Sequence, residues 1–122
     1  MTLRIQVLAG LTAALLAAPA SAHHSAAMYN ETVSTEFQAT VKVLEWTNPH
    51  AWLSVVEETA EGETEWTLEL GSPIQLARQG WRPKTVVPGD AVTVTFHPHK
   101  DGVKSGILRL IVLPNGQSLG SE

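Results

Sequence analysis

Beyond residue 32 only one segment carries a helix-start signal. Every other apolar stretch is rich in β-branched residues or alternates with polar ones. That pattern dictates a mainly β chain. Residues 38–46 (Gln-Ala-Thr-Val-Lys-Val-Leu-Glu-Trp) read as a first strand, interrupted by the turn-forming pair Asn48-Pro49. Residues 51–57 form a second strand, residues 58–63 a hydrophilic loop, and residues 64–70 a third strand with Trp66, Leu68 and Leu70 on one core-facing side. The helix signal follows: Ser72 as N-cap, Pro73 at the first helical position, and Gly80 as the stop after about two turns. A tight turn at 87–90 feeds a fourth strand, 91–96, whose Val92, Val94 and Phe96 share a face. A hairpin turn at Lys100-Asp101-Gly102 leads to a last strand at 106–113, closed by Pro114-Asn115-Gly116.

The order β-β-β-α-β-β, with a short helix between strands three and four, predicts a small five-stranded OB-like barrel. Five twisted strands curl to bury one apolar face, and the helix plugs an end. A small sandwich or an SH3-like barrel, the competing solutions, would lack the helix at that position.

The first 22 residues read as an address. Arg4 supplies a positive charge, residues 5–18 carry none, Pro19 breaks the apolar run, and Ala20-Ser21-Ala22 is a small-residue cleavage site. The run is shorter than the about 20 residues a membrane span requires. A lipid anchor at the cut would need a cysteine, and the chain has none. The expected organisation is a signal peptide over 1–22, a flexible leader over 23–32, and a barrel domain over 33–122. The expected product is exported, with no membrane span left after cleavage.

Composition narrows function further. Eight basic and twelve acidic residues give a charge of −4, which offers no basic face for nucleic acid. The lack of cysteine removes disulfides, thiolate metal sites and thiol nucleophiles. Serines stand in no nucleophile-elbow context, no glycine loop is built to cradle phosphate, and the carboxylates at 57–65 surround a polar segment. No catalytic constellation is seen, so the chain is read as a binding module and not as an enzyme.

Several stretches together resemble one family of small exported bacterial proteins, a domain of unknown function. They are Ala22-His23-His24-Ser25, Glu45-Trp46-Thr47-Asn48-Pro49-His50-Ala51-Trp52, Glu69-Leu70-Gly71-Ser72-Pro73 with Gly80-Trp81, Pro88-Gly89-Asp90, and His97-Pro98. The Trp-Thr-Asn-Pro-His segment is the most specific of them. The resemblance implies a Gram-negative periplasmic setting and transfers no catalytic residue.

Two sets of residues are candidates for binding. Cleavage after Ala22 leaves His23 first, so that its α-amine and imidazole chelate one Cu(II), with His24 behind. Cleavage after Ala20 leaves Ser21-Ala22-His23, a tripeptide that binds Cu(II) through amine, amides and the third-position imidazole. Nitrogen ligands suit copper, which tops the divalent affinity order, whereas zinc favours a closed tetrahedral set. His97 and His99, two apart on an extended segment, face the same way, and His50 sits in the turn after Asn48-Pro49. The metal set is therefore His23, His24, His50, His97 and His99, with copper as the possible cofactor. The alternative is a metal-free module binding a peptide, glycan or periplasmic protein on a groove lined by Trp46, Trp52 and Trp81.

Overall fold

A computed structural model of the protein describes residues 27–121. The segment expected to be a signal peptide and the pair His23-His24 lie outside the described residues. Strands β1 (Thr35–Glu45), β2 (Trp52–Thr59) and β3 (Gly62–Glu69) precede helix α1 (Pro73–Arg78). Strands β4 (Ala91–Pro98), β5 (Ser105–Val112) and β6 (Ser118–Gly120) follow it. The sheet runs β3-β2-β1-β4-β5-β6, and a parallel pairing of β3 with β5 closes the first five strands into a barrel. Every other pairing is antiparallel. This is the OB-like barrel that the element order implies, with its helix between β3 and β4, plus one short additional strand.

Alternation fills the interior. Ala39 and Val41, Leu53 and Val55, Leu68 and Leu70, and Val92, Val94 and Phe96 all point inward and are buried. Two register shifts bend the strands into closure. One falls between Val41 and Val43, and the other sets Thr95 opposite Leu110 but Phe96 opposite Leu108, leaving Arg109 extra. The second shift moves the inward positions of β5 from Leu108 to Ile111, both fully buried, and leaves Leu110 exposed. Where Phe96 crosses β5, the backbone approaches so closely that a Cβ on Gly106 would sit 2.7 Å from the His97 carbonyl oxygen and against the Phe96 ring.

Helix α1 starts where Ser72 caps it. The Ser72 hydroxyl accepts from the Gln75 N–H, and the Gln75 side-chain oxygen accepts from the Ser72 N–H at 3.1 Å. Its one buried residue, Leu76, enters the core. Gly80, at φ +99°, turns the chain so that Trp81 follows it inward. The Trp81 indole N–H donates to the Gly120 carbonyl at 2.7 Å, which ties β6 to the helix end.

Three expectations change. The loop expected over 58–63 is mostly strand, since β2 and β3 pair as far as Thr59 and Gly62 around a two-residue turn. Its acidic residues sit on a hairpin end whose two sides both meet water, so no apolar alternation marks it. Trp66 shares the side of Leu68 and Leu70 but is only half-buried, because it lies toward the hairpin end, packed on the rim of the core. The leader expected over 23–32 is not free in its second half. Tyr29 is buried and pairs with His99, because its ring and hydroxyl find a polar pocket on the barrel.

Candidate functional site

Glu69 stands between Leu68 and Leu70, so the period of the strand sends it away from the core. It is nevertheless 2% exposed. A buried carboxylate needs donors, and two side chains approach it. The Tyr29 hydroxyl donates to Oε2 at 2.5 Å, within the range of a short charge-assisted bond, and His50 Nδ1 lies 3.5 Å from Oε1. His50 Nδ1 is also 3.0 Å from the Leu70 carbonyl oxygen. A carbonyl only accepts, so the imidazole hydrogen sits on Nδ1 and Nε2 keeps its lone pair. An imidazole held in this way by a carbonyl and a carboxylate has the form of a supported metal ligand.

Burial raises the pKa of the Tyr29 phenol far above its ordinary value. The hydrogen bond to Glu69 and the charge of that carboxylate add to the rise, and the Ser105 hydroxyl opposes it. Tyr29 therefore remains a neutral donor. The edge of its ring meets His99, with centroids 5.8 Å apart at 85°.

Tyr29 belongs to a strap that continues the line of β1 along the end of β4. The Asn30 N–H donates to the Pro98 carbonyl and the Lys100 N–H to the Met28 carbonyl, each at 2.8 Å. A turn at Asn30 is closed by its own Oδ1, which accepts from the Thr32 hydroxyl at 2.7 Å. His97 Nδ1 is 2.7 Å from the Val33 carbonyl oxygen and so donates to it. Each imidazole among the described residues thus touches the strap or the carboxylate that anchors it.

His50, His97 and His99 do not converge. Among the described residues no group of three or more histidine and carboxylate side chains is placed to hold a metal ion. His97 and His99 are committed to opposite tautomers. The first donates from Nδ1, whereas His99 Nδ1 accepts from the Asp101 N–H at 3.1 Å, leaving the His99 hydrogen on Nε2. The shared ion that their spacing invites therefore has no matching pair of free nitrogens. The three-tryptophan groove is also corrected. Trp46 and Trp52 are half-buried, but Trp81 is wholly enclosed in the core and presents no face to a ligand.

A family model matches residues 12–109, a span that includes the histidine pair, Tyr29, His50, Glu69, His97 and His99. The chain belongs to the family of unknown function DUF6152. The match begins within the N-terminal segment and ends inside β5, so in this DUF6152 chain it takes in the strap, strands β1 to β4, the helix and most of β5, but not β6. No curated protein and no solved structure matches the chain.

The sequence reading misses Tyr29 and Glu69. Tyr29 is the only tyrosine in the chain, a signal that could have drawn attention to it. Glu69 enters the sequence reading only as the first residue of the family-like stretch 69–73, with no sign there that it is a buried carboxylate.

Proposed function

We propose that this DUF6152 protein is an exported metal-capture module of the periplasm that takes copper at its N-terminal histidines. Removal of residues 1–22 gives His23 a free α-amine beside its imidazole, a chelating pair that favours Cu(II). The observation that carries the reading is the double hold on Glu69, with Tyr29 on one oxygen and His50 on the other. Tyr29 is the root from which the histidine-bearing tail departs, and His24 is only five residues upstream. At roughly 3.4 Å per residue His24 can reach no further than about 17 Å from Tyr29 and His23 no further than about 20 Å. The His50 Nε2 lone pair is the barrel nitrogen that joins the tail, since Nδ1 is tied to Leu70 and the ring shares the Glu69 carboxylate with Tyr29. His99, beside Tyr29, shapes the root of the tail.

Mass spectrometry of the protein purified from the periplasm, followed by Cu(II) titration, tests the reading. The expected result is a chain beginning at His23 or Ser21 that binds one Cu(II) and loses most of that affinity when His23 and His24 are both replaced by Ala. A chain beginning at Met1, or unchanged binding in the double variant, would overturn it.

A further inference from the structure

We propose that the free edge of β3 beside Trp66 is a docking strand for an extended, basic polypeptide, a function independent of the copper reading. Strand β3 pairs with β2 along its whole length, but with β5 only at Thr67, Leu68 and Glu69. Among the described residues, 62–66 have no ladder partner on the side away from β2. The Thr67 N–H donates across that side to the Lys104 carbonyl at 3.1 Å. Backbone groups in a strand point the same way every second residue, so those of Glu65 and Glu63 also face outward. The result is a short open template carrying neither lysine nor proline, the residues that commonly blunt such edges.

Side chains decide what can add to it. Glu61, Glu63 and Glu65 are exposed along the edge, and Glu63 lies directly opposite Glu58, a like-charge pair that costs stability. Lys42 relieves only Glu65, at 2.7 Å. This charge repels a second copy of the strand and any nucleic acid, and it favours a chain with cationic side chains.

Trp66 supplies the anchor. Its ring is backed by Phe37 and Phe96, with centroids 5.4 and 5.1 Å away, and its N–H is fixed on Glu57 at 3.0 Å. The chain's own Lys104 ammonium sits 4.8 Å from the ring centroid, which demonstrates that this face accepts a cation. A partner's lysine or arginine would take that seat while its backbone pairs with Glu63 and Glu65, the strand-addition mode of peptide recognition.

The test titrates the purified protein with a capped heptapeptide of lysine, whose side chains reach both the Glu63–Glu65 face and the Trp66 face of an added strand, read by tryptophan fluorescence. A peptide with glutamate in place of lysine serves as the control. The lysine peptide saturates the protein and weakens as salt rises, and the glutamate peptide does not bind. Glu63→Pro removes an outward N–H that β2 does not use, so the variant folds by circular dichroism yet loses binding by about tenfold or more. Glu63→Gln loses only about two- to threefold, the share of one exposed charge. Lys104→Ala vacates the ring and binds the peptide more tightly. Failure of the lysine peptide to saturate, equal binding by folded Glu63→Pro, or weaker binding by Lys104→Ala would each overturn the proposal.

Discussion

Replacing Tyr29 by Phe keeps the buried ring and its contact with His99 but deletes the one hydroxyl that donates to Glu69. A hydrogen bond to a charged partner is worth about 1.5–3 kcal/mol, and its removal leaves the Glu69 carboxylate buried with His50 as its remaining side-chain neighbour. Taking about 2 kcal/mol, a domain of this size loses about 8–16 °C in Tm. The same contact sets a pH dependence. The folded state holds the phenol proton more tightly than the unfolded chain does, so the stabilisation is complete below the ordinary tyrosine value of about 10 and is lost as pH rises beyond it. Above that point wild type loses stability more steeply than Tyr29→Phe, and the gap between them narrows. Because the chain has a single tyrosine, tyrosinate absorbance at alkaline pH reports this residue alone. That absorbance should stay absent while the barrel is folded and appear together with unfolding by circular dichroism. A phenol that ionises near its ordinary value in a folded barrel, or a Tyr29→Phe variant melting with wild type, would refute the reasoning.

Glu69→Gln keeps an acceptor for Tyr29 but removes the charge; it should cost about 1–2 kcal/mol in urea unfolding, and tyrosinate should appear at lower pH than in wild type because the carboxylate charge no longer adds to burial in raising the phenol. Gly106→Ala places a methyl group against Phe96 and the His97 carbonyl, and chemical denaturation should show a loss of about 1–3 kcal/mol or more. Leu76→Ala empties the one position by which α1 fills the barrel, and calorimetry should register about 2–5 kcal/mol with the β spectrum retained.

Local physics explains what was legible in the sequence. Alternation in β4 marks Val92, Val94 and Phe96 as core, and Ser72-Pro73 marks the helix start, because each signal lies within a few neighbouring residues. The contacts that matter at the site are not local. Tyr29 and Glu69 are forty positions apart, and the strand period sends Glu69 outward until the strap covers it. The inward shift from Leu108 to Ile111 follows from an extra residue that closure demands and no sequence period announces. His97 and His99 share a face by spacing, yet their tautomers are set by Val33 and Asp101, which only the folded chain brings into place. Trp81 looks available after a helix end, and only the β6 carbonyl at Gly120 reveals that it is interior.

The proposed copper site depends on His23 and His24 acting together with a barrel nitrogen. The most direct measurement compares Cu(II) affinity of the processed protein with that of the free peptide spanning residues 23–32, by competition against a chelator of known strength. A barrel nitrogen joining the tail predicts that the protein binds at least about tenfold more tightly, an advantage of about 1.4 kcal/mol. Equal affinities would show that the tail acts alone and would contradict the account.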